Sequence, residues 1–187
     1  MLRRTISSTI LTAILLLLIV LPVAAHGDEE TVAATFSDGM ILTVSLIAAV
    51  VAGVGLRAIK LRAIQLAIAA LVVMTAIVHL MAGVDAPLLL ANGLGYVAIL
   101  AALYLLPIKL FKDLRVPLYW LLIAYTVITI ISFFVIHPWG IEDGSLSFFG
   151  LVTKAAEVLL IALLLVDWRQ QSQALPGAAT EQASQPA

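Results

Sequence analysis

The sequence contains no cysteine and very little charge, and both shortages limit what the protein can be. Without cysteine it has no disulfide, thiolate metal site, cysteine nucleophile or iron–sulfur cluster, so any metal must bind histidine, carboxylate, backbone or an amino terminus. Only 11% of the 187 residues are charged, whereas 63% are apolar, and the mean hydropathy is +1.16. These proportions are typical of an integral membrane protein and not of a soluble domain.

Basic runs and soluble-type catalytic motifs are also absent from the sequence. The formal net charge is -1, and no stretch of lysine and arginine is long enough to bind nucleic acid, so that class of partner is excluded. There is no nucleophile elbow, P-loop, H-E-x-x-H motif or dinucleotide fingerprint. The sequence therefore gives no support for an enzyme.

The first 25 residues have the layout of a secretory signal peptide. A basic start precedes an apolar run from Ile10 to Leu21, and small residues follow up to Ala25. Cleavage after Ala25 would leave His26 as the mature amino terminus, whereas cleavage after Gly27 would remove that histidine. An uncleaved first helix is the alternative, and either arrangement places His26 outside the cytoplasm.

The remainder of the chain divides into an arm, a bundle and a tail. Residues 26–39 form a short acidic outer arm, and residues 169–187, rich in Gln, Ala, Ser and Pro, are predicted to be a disordered cytoplasmic tail. Between them, residues 40–168 contain five apolar segments, each near the ~20 residues that cross about 30 Å of hydrocarbon. The predicted spans are Met40–Leu56, Ala63–Ala82, Ala86–Leu106, Pro117–Ile136 and Leu146–Val166. The expected fold is an all-α, five-helix transmembrane bundle.

The connecting loops predict the orientation of this bundle. Basic residues lie between spans one and two, between spans three and four, and just after span five, whereas the alternate loops carry only acidic charge. Because lysine and arginine are retained on the cytoplasmic side, the mature amino terminus is expected outside and the carboxyl terminus in the cytoplasm. We expect a multi-pass protein of the plasma (inner) membrane.

All three histidines are predicted to lie on the outer face, near several acids. Neutral imidazole is a common ligand of zinc, copper and haem iron, and carboxylates can complete or orient such a site. The candidate metal-binding residues are His26, His79, His137, Asp85, Glu142 and Asp143. They predict a site for copper or another divalent metal, with haem as the weaker alternative. The competing interpretation is that each histidine is a polar cap at the membrane interface.

Two short stretches of the chain resemble known proteins that bind or transport a metal, and they concern the identity of the predicted metal. A mature chain that begins at His26 resembles exported copper proteins that begin with histidine and chelate Cu(II) through the amino group and the imidazole. The run from His137 to Asp143, H-P-W-G-I-E-D, resembles the H-P-x-x-G-x-D-H signature of the small nickel permeases associated with hydrogenases and ureases. In that family the motif lies early in the chain and ends in a second histidine, whereas here it lies late and Gly144 takes that place.

Charged residues inside the fifth span form the other candidate site. Lys154 and Glu157 are three residues apart on one helical face, and Glu157 is expected ~15 Å from the outer end of its helix. An ionised group near the middle of a bilayer costs at least ~2.5–3.5 kcal/mol, so it should face the bundle and find a partner. One interpretation is a pair that fixes helix packing, and the other is a proton or cation relay.

Polar patches on the third and fourth spans are predicted to hydrogen-bond between helices. They are Asn92, Gly95 and Tyr96 on the third span and Tyr125, Thr129 and Ser132 on the fourth.

Three functions are therefore open at this point. The first is a non-catalytic subunit or accessory factor that packs against a membrane-protein partner or a second copy of itself in the lipid bilayer. The second is a copper, nickel, zinc or haem-binding protein that uses the outer histidines. The third is a small ion or proton-coupled transporter centred on Lys154 and Glu157.

Overall fold

A computed structural model describes residues 36–84, 86–106, 114–138, 141–142 and 145–173 of the chain, and these residues are almost entirely helical. Helix α1 (Asp38–Gly55) continues as a 3-10 turn (Leu56–Ile59) and is followed by α2 (Ala63–Ala82). Helix α3 (Pro87–Leu100) ends in a π-helical turn (Ala101–Leu105), and α4 (Arg115–Ile136) follows. Two short strands, β1 (Ile141–Glu142) and β2 (Ser145–Leu146), form an antiparallel hairpin before α5 (Phe148–Gln173).

Five helices in the described part of the chain are long and apolar enough to cross a membrane. This confirms the prediction of a helical, multispanning membrane protein. The predicted signal peptide, the candidate ligand His26 and residues 174–187 of the predicted tail lie outside the described residues.

The helix bounds differ from the predicted spans most clearly at the end of α5. The fifth span was expected to stop at Val166, but the helix continues to Gln173, so residues 169–173 of the predicted tail are helical. The physical reason is the environment of Asp167, whose buried side chain is bonded inside the bundle and not in solvent. Polar sequence after Val166 therefore does not end the helix.

Local sequence accounts for where several helices begin. The Ser37 hydroxyl accepts a hydrogen bond from the Met40 N–H at 3.4 Å and so caps α1. After the 3-10 turn, Lys60 adopts a left-handed conformation with φ of 56°, which reverses the chain toward α2. The Gln65 side chain accepts from the Arg62 N–H at 3.2 Å at the start of α2. Pro87 begins α3, where a missing N–H has no cost.

Helix α2 lies at the centre of the packing, because it contacts α1, α3 and α5, and α5 also contacts α4. Its contact with α3 is close at Gly93, where an added Cβ would lie 2.7 Å from Leu80 Cγ and 2.9 Å from the Ala76 carbonyl oxygen. The fully buried apolar core residues come from α2, α3, α4 and α5, which we call the inner helices. They are Ile68, Ala69, Val72, Tyr96, Leu122, Leu160 and Leu164.

The two ends of the bundle differ in the residues that form them, and we call them the basic end and the hairpin end. The basic end comprises the turn at residues 56–62, the start of α4 and the last two turns of α5. The hairpin end comprises the turn after α2, the end of α4 at His137, and the β1–β2 hairpin. One buried polar cluster lies near the basic end, and another lies deeper in the bundle, between its middle and the hairpin end.

Candidate functional site

The first cluster surrounds Glu157, whose side chain is completely buried in the bundle. Lys154 donates from its ammonium group to both carboxylate oxygens, at 2.8 Å to Oε1 and 2.9 Å to Oε2. Both residues belong to α5, one helical turn apart, and Lys154 is itself buried at 8% exposure. The predicted pairing of these two side chains is therefore present in the structure.

Two other helices also reach Glu157, which the sequence pattern did not predict. From α4, the Thr129 hydroxyl lies 3.1 Å from Oε2 and donates to it. From α2, the Nε2 atom of His79 lies 3.9 Å from Oε1. Two ionisable side chains, His79 from α2 and Lys154 from α5, thus meet at one buried carboxylate. We call His79, Lys154, Glu157 and Thr129 the carboxylate cluster.

Geometry fixes which nitrogen of His79 carries a hydrogen. Its Nδ1 atom lies 2.8 Å from the backbone oxygen of Thr75, and a carbonyl oxygen can only accept, so Nδ1 is the donor. The other ring nitrogen, Nε2, is the one that faces Glu157. In the neutral ring this nitrogen has a free lone pair, and in the imidazolium it has an N–H directed at the carboxylate.

A chain of hydroxyl groups continues from Thr129 into the bundle. The Tyr96 hydroxyl lies 3.1 Å from Thr129 Oγ1 and 3.3 Å from Thr126 Oγ1, and Thr126 donates to the Leu122 carbonyl at 2.8 Å. Thr129 has a second acceptor besides Glu157, since its hydroxyl also lies 2.8 Å from the Thr126 carbonyl. One hydroxyl hydrogen can serve only one acceptor at a time, so Thr129 can bond to the carboxylate or to the backbone.

The polar patches predicted on the third and fourth spans do meet across α3 and α4. Tyr96 bonds to Thr129, and the Tyr125 hydroxyl donates to the Asn92 carbonyl at 2.9 Å. The rings of Tyr96 and Tyr125 pack edge to face with centroids 4.9 Å apart. Tyr96 is thus held in place on both its ring and its hydroxyl.

An aromatic side chain lies beside the carboxylate cluster toward the hairpin end. The Lys154 ammonium lies 5.4 Å from the centre of the Phe133 ring, and the same ring lies 5.2 Å from that of His137. Phe133 packs directly on the backbone of Gly150, where an added Cβ would collide with the ring and lie 2.7 Å from its Cε2. Phe133 therefore contacts both the half-buried His137 and the buried Lys154.

The second cluster lies at the basic end and is centred on Asp167, whose side chain is also completely buried. Its two oxygens bind the guanidinium of Arg62 and the hydroxyl of Tyr119. The Gln171 amide donates to Oδ2 at 2.8 Å, and Tyr104 lies 3.0 Å from the Tyr119 hydroxyl. We call these residues the aspartate cluster. Arg62 is 45% exposed and is the member that faces outward from the bundle.

Sequence reasoning placed Asp167 just beyond the fifth span and so missed this cluster. A signal was present, because Glu157, Leu160, Leu164 and Asp167 follow the i, i+3, i+7, i+10 spacing of one helix face. All four side chains are completely buried. An acid that continues the buried row of a transmembrane helix is expected to face the bundle.

The predicted metal-ligand residues are only partly described. His79 lies in the carboxylate cluster, and His137 lies at the end of α4 against Phe133. His26, Asp85 and Asp143 fall outside the described residues, as does the side chain of Glu142. Within the described ranges, no three His, Cys, Asp or Glu residues are grouped so that they could hold a metal ion. The outer metal site therefore stays a prediction.

Comparisons of the chain with protein-family models, curated proteins and solved structures found no match. The assignment of function rests on the chemistry of the two clusters.

Proposed function

We propose that the protein conducts protons through a membrane and that the carboxylate cluster binds the proton in transit. The observation that carries this proposal is the convergence of His79, Lys154 and Glu157 inside a five-span bundle. Ionisable residues inside membranes are costly and most often mark ion pathways. A buried ion pair is also no more stabilising than apolar side chains of similar volume, so packing alone does not account for the cluster.

The charges of the cluster favour a proton over a metal cation. Both oxygens of Glu157 already accept from the Lys154 ammonium, so a sodium or calcium ion would meet a fixed positive charge at the carboxylate. A metal cation also needs several oxygen ligands around it, whereas a proton does not. His79 Nε2 can accept it, and the neighbouring carboxylate can take it over.

The proposed sequence of steps uses only groups that are in contact or nearly so. A proton from the hairpin end binds His79 Nε2, which lies 3.9 Å from Glu157 Oε1. Transfer to the carboxylate then neutralises Glu157 and weakens its bond to Lys154. Thr129 can turn its hydrogen from the carboxylate to the Thr126 carbonyl at this point, because both acceptors are within reach.

We further propose that the bundle lies in the plasma membrane with its basic end in the cytoplasm. Support comes from the described residues of that end, which include five of the ten basic residues of the chain, Arg57, Lys60, Arg62, Arg115 and Arg169. Protons would then enter from outside at the hairpin end.

Proton flux into liposomes tests the proposal. Purified protein is reconstituted with a trapped pH-sensitive dye, the membrane potential is clamped with potassium and valinomycin, and the outside is acidified. Glu157→Gln removes the proton-binding carboxylate and should lower the initial rate about tenfold or more, and His79→Gln should also lower it. The matched control is Asp38→Asn, the same change at an exposed acid in the first turn of α1, which should conduct like the wild type.

The same assay separates this function from the accessory-subunit alternative. If the cluster only fixes helix packing for assembly with a partner, wild-type liposomes should acidify no faster than empty ones. Flux that Glu157→Gln leaves unchanged would also refute the proposal. Adding sodium on one side while potassium and valinomycin keep the potential clamped identifies the ion, because a proton conductor gives the same rate with or without the sodium gradient.

A further inference from the structure

The two buried clusters are built from the same four helices in the same arrangement. In each cluster α5 contributes a completely buried carboxylate and α4 contributes a hydroxyl that bonds to it. In each, α3 contributes a tyrosine that bonds to that α4 hydroxyl, and α2 contributes a basic side chain near the carboxylate. The members are Glu157, Thr129, Tyr96 and His79 in the carboxylate cluster, and Asp167, Tyr119, Tyr104 and Arg62 in the aspartate cluster.

An apolar layer separates the clusters. The two carboxylates belong to residues ten positions apart on α5, which corresponds to ~15 Å along the helix axis. Leu160 and Leu164 of α5 and Leu122 of α4 fill this interval, and all three are completely buried. We call these three leucines the plug. A proton cannot cross such a layer without water, so this conformation is closed between the clusters.

The aspartate cluster is closed toward the basic end by one exposed side chain. Asp167 is 0% exposed, whereas its partner Arg62, the N-cap residue just before α2, is 45% exposed. Arg62 is a long side chain at a surface, so its departure exposes the carboxylate without moving a helix. A cation that served only to neutralise Asp167 would not need to occupy the solvent side of the site.

We propose that Asp167 is a second proton-binding station on the same route, with Arg62 as its cytoplasmic gate. This inference rests on the proposed function, because it needs a proton that has already reached Glu157. When water enters the plug, the Glu157 carboxyl loses its proton to that water, and the water passes a proton to the Asp167 carboxylate. Glu157 becomes a carboxylate paired with Lys154 again, and Asp167 becomes a neutral acid that releases Arg62.

Release of the proton completes the cycle. With Arg62 displaced, the Asp167 carboxyl gives its proton to cytoplasmic water, and the carboxylate that results binds the guanidinium again. Among the described residues, Tyr119, Gln171, Tyr104 and Arg115 also lie around Asp167, and Arg115 is 6.0 Å from the centre of the Tyr104 ring. Of the groups around the site, Arg62 is the one this cycle displaces.

Opposite effects of two variants on proton flux test the station. In the liposome assay, Asp167→Asn should lower the initial rate about tenfold or more, because the amide cannot carry the proton. Arg62→Gln should raise the rate above wild type, because it removes the gate. Arg57→Gln is the matched control at the same end of the bundle, where an exposed arginine loses the same charge, and it should conduct like the wild type. If the Arg62–Asp167 pair only stabilised the helix ends, the two variants would not change the proton flux in opposite directions.

The outcomes distinguish failure of the station from failure of the proposed function. If Glu157→Gln silences the flux while Asp167→Asn conducts like the wild type, the station is refuted and the proposed function stands. If neither variant changes the flux, the proposed function itself fails. If Asp167→Asn does not yield monodisperse helical protein, Asp167→Glu and Arg62→Gln test the station instead. The station requires that the glutamate variant conducts and that Arg62→Gln exceeds the wild type, and a folded Arg62→Gln at or below wild-type rate overturns it.

Discussion

Removing one partner of the Lys154–Glu157 pair should destabilise the bundle far more than removing both. Glu157→Met leaves the Lys154 ammonium in a site that is only 8% exposed. Its contact with the Phe133 ring, 5.4 Å away, would remain but does not neutralise the charge. The double variant Lys154→Met/Glu157→Met removes the stranded charge as well and fills the site with unbranched apolar side chains.

The contacts in the structure give the expected size of the effect. Lys154 donates two charge-assisted hydrogen bonds to Glu157, and at about 1.5–3 kcal/mol each the single variant should lose ~3–6 kcal/mol of unfolding free energy. This agrees with the ~3–5 kcal/mol typical of a broken buried pair. The double variant should lie near the wild type or up to about 4 kcal/mol above it, since apolar replacements of buried pairs are often neutral or stabilising.

Unfolding in detergent provides the assay. The helical signal in circular dichroism is followed as sodium dodecyl sulfate is added to protein in dodecyl maltoside, and the midpoints are compared. Val158→Met, at a side chain that is 55% exposed on the same helix, controls for the introduction of methionine and should shift the midpoint little. Equal losses in the single and double variants would refute the reasoning, because they would mean that the two charges do not depend on each other.

Three other predictions concern orientation, packing and the hydroxyl chain. A reporter fused after Arg115 should be cytoplasmic and one placed within residues 137–145 external, and the reverse at either site would refute the orientation. Gly150→Ala should lower the free energy of unfolding by about 1–3 kcal/mol in the same assay, because the new methyl group collides with Phe133. Adding Phe133→Leu should recover part of that loss, whereas additive losses in the double variant would contradict the contact. Tyr96→Phe keeps the ring but removes the hydroxyl that lies 3.1 Å from Thr129 Oγ1. It should slow proton flux by disturbing the turn of the Thr129 hydrogen away from Glu157, at a stability cost of only ~0.6 kcal/mol, and unchanged flux would show that this step does not depend on the Tyr96 hydroxyl.

The number of spans could be read from the sequence because hydrocarbon thickness and backbone hydrogen bonding leave few alternatives. The pairing of Lys154 with Glu157 could also be predicted, since three-residue spacing on a helix brings side chains together whatever surrounds them. Both features depend only on local sequence.

The third member of the cluster could not be predicted in the same way. His79 was expected near the outer boundary as a metal ligand or polar cap, and its approach to Glu157 depends on α2 packing against α5. Helix periodicity says which face of a helix is buried but not which helix lies opposite, and short loops allow several orders of five helices. Asp167 was missed for a related reason, because an acid just after an apolar run resembles a solvated helix end unless its partner, Arg62, is known to lie beside it.

The central claim is that Glu157 gains and loses a proton while the protein conducts. Infrared difference spectroscopy on protein in liposomes measures this directly, because a protonated carboxyl has a C=O stretching band that the carboxylate lacks. Acidifying the outside at fixed inner pH should produce a change in this band that is present in the wild type and in Asp38→Asn but lost in Glu157→Gln. A difference spectrum with no carboxyl band assignable to Glu157 under conditions of measured proton flux would contradict the account and leave the pair as a static element of helix packing.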